Sequence, residues 1–283
     1  MGKPHLLCLG FGFSAQALAR RLAGVGWRIT GTRRRPGWAT GDVALVEWPG
    51  ADLAPVLAEA THVLSSVPPR EAGDPAYDLL VAHLGAMPRL EWLGLLSTTG
   101  VYGDHGGAWV DEATPLVPHT HRGGLRAAQN AAWMALHTEH GLPVHVFRLA
   151  GIYGPGRSAL DKIRDGSARR IVKPGQVFSR IHVEDIAQVL QASFARPDPG
   201  AAYNVADDLP APPQDVIAYA AELLGAPVPP DIPFDTADLS PMARSFYADN
   251  KRVRNGRIKQ ALGVRLVYPD YRAGLRAILA AEG

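Results

Sequence analysis

Gly10-Phe11-Gly12-Phe13-Ser14-Ala15 is the stretch of this chain best suited to hold a charged ligand. It follows the apolar run His5-Leu6-Leu7-Cys8-Leu9 and opens a helical pattern, so the backbone turns where amides are still unpaired. The spacing reads G-x-G-x-x-A, a permitted form of the dinucleotide fingerprint. Gly10 permits the tight turn, and Gly12 lets N–H groups approach a pyrophosphate. Ala15 is small enough for the helix to pack close to the strand. The free amides and positive end of the helix would then hold the diphosphate. Glycines after a strand can also make a plain turn; their place at the head of a βαβ unit favours the ligand reading.

The next candidate decides which dinucleotide. An NAD site usually carries Asp or Glu about 20 residues beyond the glycines, bonded to the ribose 2′-hydroxyl. Here no acidic residue precedes Asp42, and Thr32-Arg33-Arg34-Arg35 follows the second apolar run instead. A guanidinium at that place can clamp a 2′-phosphate through paired charge-assisted hydrogen bonds. The expected cofactor is NADP(H), against the alternative that these arginines are merely solvated.

Elements that could position these residues alternate along the first half. Strands are expected at 5–9, 27–31, 43–47, 62–66, 91–97 and 143–148, with helices near 14–24, 51–59, 76–87 and 123–139. Such alternation implies βαβ units and a parallel sheet covered on both faces. In the first helix Ala15, Leu18, Ala19 and Leu22 share one face. Prolines crowd 209–213 and 227–233, and helical patterns recur at 183–195, 212–224, 251–262 and 271–281, with a short strand at 202–205. The expected fold is α/β: a doubly wound, Rossmann-like parallel sheet with a smaller C-terminal lobe. Residues 1–155 would form the NADP(H)-binding core and 156–283 a substrate lobe, some of whose segments return to the core sheet.

Composition narrows the function class. Of 283 residues, 47% are hydrophobic and 20% charged, which suits a packed globular core. A net charge of +2, with no run of like charge longer than Arg33–Arg35, does not indicate a nucleic-acid surface. The one cysteine, Cys8, rules out an intrachain disulfide and any multi-cysteine metal site. No apolar stretch reaches the ~18 residues needed to span a bilayer. Polar Ser14–Arg21 interrupts any signal-like N-terminal run, so a cytoplasmic protein without membrane partners is expected. The histidine pairs His119/His121 and His137/His140 lack further ligands at recognisable spacing, and no metal is expected.

Several further motifs follow in order: Leu96-Ser97-Thr98-Thr99-Gly100-Val101-Tyr102-Gly103, Arg148-Leu149-Ala150-Gly151-Ile152-Tyr153-Gly154-Pro155-Gly156, Arg180-Ile181-His182-Val183-Glu184-Asp185-Ile186 and Tyr203-Asn204-Val205. In these the chain resembles the extended short-chain dehydrogenase/reductases, the NAD-dependent epimerase/dehydratase family, and most of all its atypical members. The resemblance implies cofactor contacts at Phe11, Phe13, Ser14, Ser66, Val67, Ser97, Leu149 and Gly151, beside Gly10, Gly12, Ala15, Thr32, Arg33 and Arg34. It also implies a small-molecule substrate near Tyr153, Arg157 and Arg180, and a homodimer formed through helices beside the fifth strand. Lys251 and Arg252 could add positive charge for an anionic substrate.

The same resemblance assigns Thr98 to orient the substrate oxygen, and it expects a Tyr-x-x-x-Lys helix downstream. Arg122 stands at the tyrosine's place and Arg126 at the lysine's. Arginine stays protonated near neutrality, so Arg122 cannot pass a proton. Arg126 keeps the cation and can still hold a hydroxyl or a negative charge. Replacement proton donors to consider are Tyr102, Tyr153, His119, His121, His182, Asp104 and Glu112. Two functions therefore stand side by side. One is an NADP(H)-dependent oxidoreductase or epimerase acting on a small polar, sugar- or nucleotide-like substrate with a degenerate tetrad. The other is an NADP(H)-binding sensor without turnover.

Overall fold

The computed structural model describes residues 3–35 and 43–282. Seven short apolar segments form its central sheet: β1 (His5–Leu9), β2 (Arg28–Arg33), β3 (Val43–Glu47), β4 (His62–Ser65), β5 (Trp92–Thr98), β6 (Val144–Leu149) and β7 (Ala201–Val205). All are parallel, in the order β3-β2-β1-β4-β5-β6-β7. β1, β4 and β6 are buried along their whole length, as expected of a sheet covered on both faces.

The chain steps outward from β1 to β3, then crosses back to β4 on the other flank of β1. That reversal opens a crevice beyond the carboxyl ends of β1 and β4, the place where open α/β sheets bind ligands. On one face α1 (Phe13–Leu22) packs against a helix at Val183–Ala195. The other face carries α2 (Ala54–Glu59), α3 (Pro75–Ala82) and α4 (His121–His140), around Leu57, Leu80, Trp133 and Leu136.

Beyond β6 come α5 (Ala159–Arg164), α6 (Val183–Ala195, the partner of α1), α7 (Pro213–Leu223), α8 (Pro241–Phe246), α9 (Gly256–Gln260) and α10 (Tyr271–Ala280). Leu160, Val216, Ala220, Leu275 and Ile278 give α5, α7 and α10 a small core of their own. The buried carboxylate of Asp185 on α6 accepts the Val267 and Tyr268 N–H groups at 2.7 and 3.0 Å. It thereby ties the C-terminal stretch to the helix that covers the sheet.

Two expected helices are shorter than their apolar patterns. The pattern at 76–87 stops at Ala82 and continues as a 3-10 turn, Leu84–Ala86. At 251–262 only Gly256–Gln260 is α-helical, because Arg252–Val253 is extended and pairs with Trp109–Val110. Two more short pairs, Gly151–Tyr153 with Arg180–His182 and Arg170–Val172 with Asp231–Pro233, were not anticipated from the pattern.

Candidate functional site

The glycine turn is built largely by Thr32. Its hydroxyl accepts the Gly10 N–H at 2.8 Å and its carbonyl accepts the Phe11 N–H at 2.8 Å. Gly10 has φ +84°, and a Cβ there would lie 2.7 Å from Ser66 Oγ. The Ser66 hydroxyl in turn donates to the Gly10 carbonyl at 2.7 Å, binding the end of β4 to the end of β1. Gly31 serves Phe11: a Cβ at that position would meet the Phe11 ring at 2.5 Å.

With those amides bound to Thr32, the next ones open α1. Gly12 is its N-cap and supplies no side-chain cap, unlike Asp74 at α3, Thr120 at α4 or Ser158 at α5. The N–H groups of the first turn have no intrahelical partner. They lie beside a cavity of about 450 Å³ lined by Gly10, Phe11, Gly12, Thr32, Arg33, Arg34, Ser66 and Val67. Eight of the expected cofactor residues therefore meet at one place. Gln16, Trp48, Pro49, Pro68, Arg70 and Pro75 complete the wall, and none was foreseen. Trp48 and Arg70 lie just past the carboxyl ends of β3 and β4, so strand ends together with an aromatic or a cation would have pointed to them. Among the described residues no carboxylate lines the cavity.

The other expected cofactor residues stand apart from this wall. Phe13 is half-buried, while Ser14 and Ala15 are buried in the first turn of α1. Leu149 is buried at the end of β6, and Gly151 donates its N–H to the Ser179 carbonyl. Ser97 is buried and accepts from Asn130 Nδ2 at 2.6 Å.

Thr98 ends β5 half-buried, its hydroxyl accepting the Gly100 N–H at 3.1 Å. Arg126 reaches the same strand end, donating to the Leu96 carbonyl at 3.3 Å and to Gln129 Oε1 at 2.9 Å. Gln129 then donates to Asp74 Oδ2, which also accepts from Trp133 Nε1, both at 2.7 Å. Burial and the charge of Arg122 lower the Arg126 pKa to about 10, opposed by Asp74. Arg126 still remains a cation at neutral pH. Arg122, one turn earlier, is exposed.

Three expectations need correction. Tyr102, counted among the catalytic side chains, is fully buried. It donates to Asn204 Oδ1 at 2.7 Å and accepts from Arg148 Nη1 at 2.8 Å. Burial raises its pKa, only partly offset by Arg148, so this phenol is a structural strut. Tyr153 is also buried, donating to the Asp270 carbonyl at 3.2 Å, and burial drives its pKa upward. Arg180 turns inward: its guanidinium donates to the Phe178 and Ala211 carbonyls and faces Asp207. Burial lifts the Asp207 carboxyl to about 8.

Among the other proton-donor candidates, His182 caps α6 by accepting the Glu184 N–H and is buried, with its pKa lowered to about 4 by burial. Glu112 accepts the Asn204 N–H at 2.8 Å. Asp104 accepts from Asn250 and Gly106 amides, and the Asn250 bond foremost lowers its pKa. His121 is exposed and paired with Glu71. His119 is exposed and accepts the Asp104 N–H on Nδ1, which leaves Nε2 as the nitrogen able to donate. Lys251 is occupied too, donating to the Gly103 carbonyl at 2.7 Å and pairing with Asp249. Among the described residues no three His, Cys, Asp or Glu side chains converge on a metal position, and no helix is long and apolar enough to cross a membrane.

No family model matches the chain. It is 56% identical to a conserved protein of unknown function from Silicibacter pomeroyi, over 98% of this chain and 99% of that one, with a TM-score of 0.91. Protein YeeZ of Escherichia coli K12 is 27% identical over 281 residues, 93% of this chain and 95% of YeeZ. A candidate NAD-dependent epimerase/dehydratase from Methylobacillus flagellatus is 28% identical over 100% of this chain and 99% of that one, with a TM-score of 0.71. The dTDP-glucose 4,6-dehydratase of Bacillus anthracis, solved with NAD, has a TM-score of 0.78 at 18% identity, covering 99% and 96% of the two chains. At that distance the likeness speaks for the fold alone. By its strand order and these neighbours, the chain has the fold of the NAD-dependent epimerase/dehydratase proteins, the extended short-chain dehydrogenase/reductases, and its ordered motifs are similar to theirs.

Proposed function

We propose that this protein binds NADP(H) and acts as an oxidoreductase or epimerase on a small polar substrate of the sugar or nucleotide kind. The observation that carries the reading is the cavity at the sheet's switch point. Unpaired helix amides lie beside it and Arg33 and Arg34 line it, with no carboxylate among the described residues of the wall. The family framework supports a nicotinamide dinucleotide, since the Bacillus anthracis dehydratase was solved with NAD. The arginines support the phosphorylated form.

Held there, the α1 amides would neutralise the diphosphate, and the Arg33 and Arg34 guanidinium groups would pair with the 2′-phosphate. A nicotinamide dinucleotide, when bound, would supply or accept a hydride. Thr98 then offers its hydroxyl to the reacting oxygen at the end of β5, and Arg126 stabilises negative charge near it. With Tyr102 and Tyr153 enclosed, His119 Nε2 is the exposed donor left beside the catalytic stretch.

A second reading draws on that enclosure. With both phenols buried and an exposed arginine at the tyrosine's place, the fold could report NADP(H) to a partner without turning it over. Titration with NADPH and NADH tests the cofactor reading. Tighter NADPH binding that vanishes in Arg33→Ala/Arg34→Ala is expected, and equal affinities would refute NADP(H) selection. NADPH consumption against a carbonyl panel, abolished in Thr98→Ala, separates enzyme from sensor.

A further inference from the structure

Two guanidinium groups lie over the aromatic rings of the glycine turn. Arg33 Cζ lies 5.7 Å from the centre of the Phe11 ring, and Arg157 Cζ lies 5.8 Å from the centre of the Phe13 ring. Phe11 and Phe13 are the two neighbours of Gly12. Each ring face therefore holds a cation beside the unpaired amides of α1, within the range where cation and ring attract. Arg33 approaches from the sheet. Arg157 stands on the turn that follows Gly151–Tyr153, over the Phe13 ring.

That turn is fixed by backbone contacts. Gly154 and Arg157 exchange two hydrogen bonds, 3.2 and 3.0 Å long. Gly154 is pressed against α1 and α6: a Cβ there would come within 2.7 Å of Val183 Cγ1 and 3.1 Å of Phe13 Cζ. On its other side Ser158 opens α5 through a capping box in which Asp161 accepts from both the Ser158 N–H and hydroxyl. The acid nearest in sequence is thus engaged elsewhere. Among the described residues the exposed Arg157 side chain has no hydrogen bond or ion pair. A cation placed this firmly beside an uncapped helix start, with no anion from the protein, is suited to an anion from outside.

We propose that Arg157 binds the cofactor rather than the substrate: its guanidinium closes over the diphosphate at the start of α1. The inference rests on the cofactor reading above and replaces the expectation that Arg157 faces the substrate. It also divides the work between the cations. Arg33 and Arg34 would read the 2′-phosphate, whereas Arg157 would grip the diphosphate common to every nicotinamide dinucleotide.

Calorimetric titration of the full chain with NADPH and NADH at low salt tests this, using wild type, R157Q, R157K and R33A/R34A. In R157Q both dinucleotides should bind about tenfold more weakly, the loss of one charge-assisted contact. R157K should recover part of the loss, and R33A/R34A should weaken NADPH alone. Thermal unfolding of unliganded R157Q should stay close to wild type, because Arg157 has no hydrogen-bond or ion-pair partner and loses only an exposed contact with the Phe13 ring. If wild type binds neither dinucleotide, the cofactor reading fails and this inference with it. If wild type binds both and R157Q binds them unchanged, the cofactor reading survives and the role of Arg157 is overturned.

Discussion

The carboxyl edge of the sheet is not one surface but two. Beyond β1–β4 the polar groups face outward with their valence unspent: uncapped amides at α1 and the cations Arg33, Arg34 and Arg70 line an open cavity. Beyond β5–β7 many polar side chains have found each other, although Arg148 Nε, Asn204 Nδ2 and Asn130 Oδ1 are buried without a partner. Tyr102 joins Arg148 and Asn204, Glu112 takes the Asn204 amide, and Gln129 links Arg126 to Asp74. A buried polar group must be paired within the protein or cost free energy, whereas a ligand site needs groups left unpaired. The first half of the edge is thus built to receive something, whereas in the second half the Tyr102–Arg148–Asn204 cluster holds its own shape behind Thr98.

Four experiments would break or sharpen that contrast. The largest effect should come from acid, which attacks enclosed groups first. His62, His145 and His182 are buried and have pKa values lowered to about 4, chiefly by burial. In the unfolded chain each takes up a proton near 6.5. Between those values the unfolded state holds more protons, so stability falls as pH drops through the window. At pH 5 the loss should be about 2 kcal/mol for each histidine. Urea unfolding at pH 7 and pH 5 measures it, and equal midpoints would show the histidines to be solvated.

Tyr102→Phe comes next. It strands Arg148 and Asn204 in the interior and should cost about 2–3 kcal/mol of stability. Dinucleotide affinity should be unchanged, and a large change would mean that the two halves are coupled. Gly10→Val works the other way: a left-handed backbone and the contact with Ser66 cost about 1–3 kcal/mol. Calorimetry should show binding lost, while retained binding would deny the turn its place in the site. The smallest effect is that of Arg33→Ala/Arg34→Ala, about tenfold in NADPH affinity with the melting temperature unmoved. A fall in melting temperature would place those side chains among the structural ones.

How much of this was legible in the sequence follows the same division. Apolar runs of strand length marked all seven sheet strands to within a residue or two, most plainly at β1, β4 and β6, which are buried along their whole length. The glycine turn was legible since its chemistry is local: Gly10, Gly12 and Ala15 act through their own backbone and size. Tyr102 was misread because its partners lie far along the chain, Asn204 by 102 residues and Arg148 by 46. Spacing says nothing about such meetings. The pairing of Trp109–Val110 with Arg252–Val253 involves two residues on each side, too few for any periodicity to register. Trp48 and Arg70 reach the cavity only because β3 and β4 end at the same level, which is a property of the sheet.

The outermost strand, β7, has a practical consequence for anyone who cuts this chain. It comes from residues 201–205, well past the point where the sequence changes character, and it covers the flank of β6 along five paired positions. A fragment ending near residue 155 would keep the glycine turn yet leave the backbone of β6 bare, with Phe147 stripped of its stacking partner Tyr203. Exposed edges of that kind pair with other chains. Such a truncation should come out of expression as aggregate, and a minimal nucleotide-binding piece of this molecule must carry its seventh strand along.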